Sequence, residues 1–128
     1  MTVPFLPKLI TVYGGAGSGK SQYISRKGKD LLQVRQTIKE LTDEDLEGKR
    51  NMWIVKDAHS SFHIWSLIVA ARNWGYKKVY IESHDHPNDW FSYENNKTSL
   101  KSEIRTCMTK IVCMDNYGNG IELATDDN

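Results

Sequence analysis

The chain has little that would tie it to a secreted, membrane-spanning or globally charged class of protein. Its two cysteines, Cys107 and Cys113, fall outside the paired spacings of zinc ribbons and redox motifs, and they outline no secreted disulfide scaffold. A reducing, cytoplasmic setting is the expectation. No apolar run approaches the length needed to cross a bilayer, and Met1–Pro7 carries no basic segment followed by a long apolar core. A membrane segment is therefore not expected. Charge of one sign is also lacking: 17 basic against 16 acidic residues leave a formal net charge of +1. No global field draws the chain to nucleic acid or to an anionic membrane, so any such contact has to be local. Internal repeats and low-complexity tracts are missing too. The 128 residues suffice for one compact domain with a core and are too few for two, so a single domain over 1–128 is expected.

What is present is an alternation of apolar runs and helical patterns. Lys8-Leu9-Ile10-Thr11-Val12-Tyr13 is apolar and β-branched and ends at glycines, as a buried strand feeding a turn does. Met52–Val55 and Lys78–Ile81 are two further buried-strand candidates. Between them, Ile64, Leu67, Ile68 and Ala71 fall at i, i+3, i+4 and i+7, one apolar face of a helix that Gly75 would stop. A helix opens near Lys20. Its extent stays open, because Gly28 interrupts the pattern and Leu31-Leu32-Gln33-Val34 reads equally as a short strand. Thr42–Arg50 reads as a solvated connection and His84–Lys97 as a loop. Leu100–Lys110 reads as helical, and Ile111–Met114 and Ile121–Leu123 flank a hairpin turn at Asp115–Gly120. The pattern predicts a three-layer α/β sandwich with a mainly parallel sheet, and the glycine-rich run Gly14–Ser21 after the first strand makes the expected sandwich one of the P-loop NTPase kind.

The chemistry-bearing run is Gly14-Gly15-Ala16-Gly17-Ser18-Gly19-Lys20-Ser21, a complete Walker A pattern set directly after a strand and opening a helix. Glycines let successive backbone N–H groups turn toward a phosphate, and the helix N-terminus adds a favourable dipole. Lys20 would neutralise the β and γ phosphates of ATP, and the Ser21 hydroxyl would enter the shell of Mg²⁺. A second half of such a site needs a carboxylate at the end of a neighbouring strand. Asp57 is the residue expected to hold magnesium; Ala58 then stands where a glutamate base is usual, and His59 is the nearest substitute base. In the alternative alignment Lys56-Asp57 replaces an acidic pair and a cation occupies the metal position. Asp57 could instead cap the following helix or pair with Lys56. Ser83 and His84 end the third strand, where a γ-phosphate sensor would sit. His59 and His63 share a helical spacing, but no glutamate precedes the second as in zinc proteases, so a structural metal is not expected. Arg72 and Arg105 are candidate fingers for a neighbouring subunit's site.

Val12–Ser21 resembles the Walker A segment of the large subunits of phage terminases, the motors that package DNA. Leu32-Gln33-Val34-Arg35-Gln36-Thr37 is similar to their next strand. Trp53–Ala58 is similar to their Walker B strand, and Ile81–Pro87 with Trp90 to their coupling region. The likeness covers about Lys8 to Trp90, with shorter intervals and no room for a nuclease domain. The motif order, with Arg105 after the sensor-like strand, also resembles FtsK/HerA-type export ATPases and zonula-occludens-toxin-like proteins. These resemblances imply a viral packaging or translocation ATPase acting in host cytoplasm. They further imply double-stranded DNA as partner, a homo-oligomeric ring or larger packaging complex, and Lys20, Asp57, His59 and Arg105 as catalytic residues.

Two other readings stand beside this one. Val55–Ser60 followed by Leu67–Tyr76 resembles polynucleotide-kinase-like enzymes, in which Asp57 would activate an acceptor hydroxyl. That reading lacks paired lid arginines in the tail. A nucleotide-binding regulator without turnover is the third, kept by the unusual Lys56-Asp57-Ala58.

Overall fold

The computed structural model describes residues 7–34, 42, 44, 47–56, 60–91, 100–115 and 117–123. Strand β1 (Lys8–Tyr13) holds the middle of the sheet because its residues are apolar on both sides: Leu9 and Val12 are fully buried, and Ile10 nearly so. It pairs in parallel with β4 (Lys78–Ser83) on one side and β5 (Met108–Met114) on the other. Beyond β4 lie β3 (Asn51–Val55) and then β2 (Leu31–Val34), both parallel. Beyond β5 lies β6 (Gly120–Leu123), the one antiparallel strand of a six-stranded sheet ordered β2-β3-β4-β1-β5-β6. The chain is thus an α/β protein with a mostly parallel sheet, and all three strands expected from the apolar runs belong to it.

Side chains alternate across the sheet and recruit helices to both faces. Leu9, Met52, Ile54, Val79, Ile81 and Ile111 meet α2 (Ser61–Asn73) and α3 (Lys101–Cys107) through Ile64, Leu67, Ile68, Ala71 and Ile104. Ile10, Val12, Trp53, Tyr80 and Val112 meet α1 (Lys20–Lys27) through Tyr23 and Ile24. The apolar stripe expected on α2 is the face it buries; Ile64, Leu67 and Ile68 have no exposed surface, and each contributes about 1.5–3 kcal/mol by leaving water. The Ser60 Oγ accepts from the His63 amide at 3.2 Å and so caps this helix, the role considered for Asp57. At its other end Gly75 donates to Arg72 O and Tyr76 to Ala71 O, which satisfies the last carbonyls and buries Tyr76.

The open extent of the first helix resolves, and one boundary differs from the expectation. Leu31–Val34 is a strand, since Gly28 ends α1 in extended backbone and β3 offers a parallel partner. Strand β5 begins at Met108, three residues earlier than its apolar run suggests. Pairing with β1 outweighs helical continuation there: Met108 lies opposite Leu9, and the Thr109 hydroxyl donates to Leu9 O at 2.9 Å. Within the expected loop after β4, Pro87–Asp89 forms a short 3₁₀ turn.

Candidate functional site

The ladder between β1 and β4 runs one residue past the strand, where Gly14 N–H donates to Ser83 O at 3.2 Å. The loop then turns on itself through Ser18 N–H to Gly15 O. Gly17 and Gly19 take φ of 78° and 90°, the left-handed region that glycine enters without a Cβ penalty. Gly14 is needed for a different reason: a Cβ there would lie 2.8 Å from Ser18 Oγ and 3.0 Å from Met114 Cβ. The Ser18 hydroxyl is buried in this turn with no hydrogen-bond partner among the described residues. Gly19 heads α1 without any side-chain cap and no acid follows in the first turn, so the positive end of the helix is left open toward the loop.

Lys20 spans the loop, its Nζ donating to Gly14 O at 2.8 Å and Gly15 O at 3.0 Å. A concavity of about 440 Å³ opens beside it, lined by Ala16, Gly17, Gly19, Lys20, Ser21, Gln22 and Glu82. Glu82 is the residue sequence reasoning missed. It stands on β4 opposite Val12 of β1, half-buried, and its Oε1 accepts from Ser21 Oγ at 3.2 Å and from Trp53 Nε1 at 3.0 Å. A hydroxyl and a carboxylate oxygen at the mouth of a glycine-rich loop suit a small hard cation that keeps most of its waters. The available signal was Val79-Tyr80-Ile81-Glu82, an apolar strand ending in an acid. It was overshadowed by Trp53–Asp57, which ends in an acid two residues past its strand.

Asp57 and His59 lie outside the described residues, as does Ala58. Lys56 is buried with its Nζ 5.3 Å from the Phe91 ring centre and 6.0 Å from that of Trp90. Both rings belong to the core on the α2 side of the sheet, whereas Lys20 and Ser21 open α1 on the other. Lys56 does not line the concavity, and the alternative that set a cation at the metal position finds no support in its placement.

The Ser83 hydroxyl, considered as a phosphate sensor, is committed to its own corner: it donates to Asp85 O and accepts from Asp85 N–H and Trp90 Nε1, the last at 2.7 Å. His84 is exposed. Arg105 donates from Nε to Asn88 Oδ1 at 3.2 Å and does not line the concavity. Arg72 lies in the last turn of α2, toward the start of β4 and so across the sheet from the loop. The structure therefore gathers Gly14 to Ser21 with Glu82 and leaves both arginines elsewhere.

A second groove, of about 610 Å³, shares Ser21 and Gln22 with the first and continues past Ser25 and Arg26 to Tyr117, Gly118 and Asn119. These last three belong to the β5–β6 turn, which Asp115 organises by accepting from the amides of Tyr117 and Asn119, each at 2.8 Å. The Asn119 amide is the main cause that holds the Asp115 carboxyl below its ordinary value, against a weaker effect of burial and with help from Tyr117 and the Asn119 side chain. The turn touches the loop: a Cβ on Gly19 would lie 3.6 Å from Gly118 Cα. Tyr117 presents its ring to solvent, 89% exposed. Tyr13, just before the loop, stays neutral, its hydroxyl pushed up to about 12 by its hydrogen bond with Cys113 and by burial.

Comparison with known protein families and with curated proteins finds no match. Among the described residues no cluster of three or more His, Cys, Asp or Glu forms a metal cage, and no helix is long and apolar enough to cross a membrane.

Proposed function

We propose that the chain is a P-loop NTPase that binds ATP with Mg²⁺ and belongs to the nucleic-acid packaging or translocation type, with slow or partner-dependent turnover. The observation that carries the reading is the meeting of Lys20, Ser21 and Glu82 at the mouth of one glycine-rich loop behind the central strand. Ligands of open α/β sheets bind at the carboxyl ends of the strands, and helices on both faces fit the three-layer P-loop sandwich. The residues suit the groups. Lys20 has two carbonyl partners to exchange for phosphate oxygens, and Ser18 brings a buried hydroxyl without a partner. Ser21 Oγ and Glu82 would hold magnesium directly or through its waters; when bound, the ion supplies positive charge against the phosphates. The groove toward Tyr117 has room for sugar and base, with an exposed ring for stacking.

Slow turnover follows from the lining of the concavity, whose one carboxylate among the described residues is Glu82. One carboxylate cannot both complete a metal shell and activate a water. Asp57 or His59 is the candidate for the second task, and Arg105 from a neighbouring subunit for the transition-state charge. The resemblance of Val12–Ser21 and the following landmarks to terminases supports the packaging type over other P-loop enzymes.

The test is incubation of the protein with γ-labelled ATP, magnesium and either duplex DNA or a 5′-hydroxyl oligonucleotide. Free labelled phosphate, released faster with DNA and absent with Lys20→Ala, is the expected result. Label on the oligonucleotide would establish the kinase reading instead, and ATP binding without label release would establish the regulator.

A further inference from the structure

The other end of the sheet carries a second pattern, one that the near-zero net charge conceals. Each of the five parallel strands carries a cation within two residues of its first residue: Lys29 ahead of β2, Arg50 directly ahead of β3, Lys77 and Lys78 at β4, Lys8 at β1, and Lys110 a little way into β5. Backbone bonds fix the row, since Lys8 N–H donates to Lys77 O, Lys77 N–H to Arg50 O, and Arg50 N–H to Asp30 O. Lys8 and Lys78 are direct neighbours across the ladder, as Ile10 and Lys110 are on the other side of β1. On the α1 face Lys27, Lys78 and Lys110 surround a concavity of about 100 Å³ that Tyr23 and Tyr80 also line. Among the described residues the acids paired into this edge are Asp30, 3.8 Å from Arg50, and Glu122, 3.1 Å from Lys110; Glu47 stands in the turn ahead of β3. Lys8, Lys27, Lys29, Lys77 and Lys78 are exposed. In the turn from α2 to β4, three residues before Lys77, Trp74 is 41% exposed.

We propose that this strand-start edge binds a single-stranded nucleic acid, with the cations on the phosphodiester backbone and Trp74 under an unpaired base. Five strands at about 4.8 Å spacing set the cations along roughly 19 Å, a line that matches a linear polyanion and exceeds any single phosphate or lipid headgroup. An exposed indole in the turn that leads into Lys77 and Lys78 adds what an acidic protein would not use, a flat face for a base. The inference rests on the charge and geometry of this edge and stands independently of the nucleotide reading.

Fluorescence anisotropy with a labelled single-stranded oligonucleotide, titrated with the full chain at several salt concentrations, tests it. The parent is expected to bind at low salt, with affinity falling by about 0.7 log units per log unit of salt for each phosphate contacted. Lys8→Glu/Lys78→Glu should weaken binding about tenfold or more, and Lys8→Gln/Lys78→Gln should lower the salt slope while folding as the parent does. Trp74→Ala should weaken it about fivefold, with the slope unchanged. All three variants should bind a fluorescent nucleoside triphosphate like the parent. Parental oligonucleotide affinity in both double variants, tighter binding of a duplex than of the single strand, or binding only to phosphatidylserine vesicles would overturn the proposal. So would loss of oligonucleotide binding with Lys20→Ala alone, because the strand would then sit in the phosphate loop.

Discussion

At the carboxyl end of the sheet one lysine is folded across a glycine-rich loop and faces one half-buried carboxylate, while at the amino end each parallel strand brings a cation near its start and Lys8, Lys29, Lys77 and Lys78 are exposed among the described residues. The same five strands build both. The difference lies in enclosure: a loop that turns back on itself suits one compact anion with a helix end and a cation partner behind it, and an open row suits a polymer. Total charge does not distinguish the two, since +1 describes the chain as a whole and neither of its ends.

The largest expected effect joins the two ends. Ile81 is fully buried, pairs with Thr11 on β1 and Ile54 on β3, and lies between the sites. Ile81→Ala should cost about 2–5 kcal/mol and lower affinity for triphosphate and oligonucleotide together as the folded fraction falls. A denaturant midpoint unchanged from the parent's would mean that the middle of the sheet is not the scaffold of either end.

Separation is expected from Trp53→Phe. It removes the indole donor to Glu82 while keeping an aromatic ring in the core, and with Glu82 half-buried the loss should be about 1 kcal/mol. Magnesium-dependent nucleotide binding should weaken and oligonucleotide binding should not; equal loss of both would join what the geometry keeps apart. Tyr117→Ala should act more weakly on the carboxyl end alone, by about fivefold in nucleotide affinity, as expected for one exposed stacking face. An unchanged affinity would place the base elsewhere.

The smallest effect is a pH dependence in the turn that borders the loop. The Asp115 carboxyl is held below its ordinary value of 3.8, so the order it gives to Tyr117 and Asn119 is complete above that value and is lost as pH falls through the lower folded one. The amide resonances of Tyr117 and Asn119 should therefore shift in acid below pH 3.8, and in Asp115→Asn the transition should be absent. A midpoint above 3.8 would contradict the assigned hydrogen bonds.

Much of this was legible in the chain itself, and what was not has definite physical causes. β1, β3 and β4 announced themselves because strands buried on both faces are continuous apolar runs, and the glycine-rich loop is contiguous. Glu82 was not read as the acid beside Ser21 because strand order is invisible in a linear reading: β4 lies between β1 and β3, so its end and not that of β3 adjoins the loop. Met108–Lys110 read as helix because only the neighbouring β1 makes a strand of it. The basic edge was unreadable for the same reason, since Lys8, Arg50 and Lys77 meet only through the ladder.

The most direct test of the central claim is the magnesium dependence of nucleotide binding in the parent, Glu82→Gln and Asp57→Asn, measured by titration with a fluorescent ATP analogue with and without the ion. Magnesium should tighten binding to the parent by about tenfold, through interactions at Ser21 and Glu82. In Glu82→Gln that gain should vanish while metal-free binding through Lys20 persists, and Asp57→Asn should retain part of it. A full magnesium response in Glu82→Gln would contradict the assignment of the metal to the end of β4.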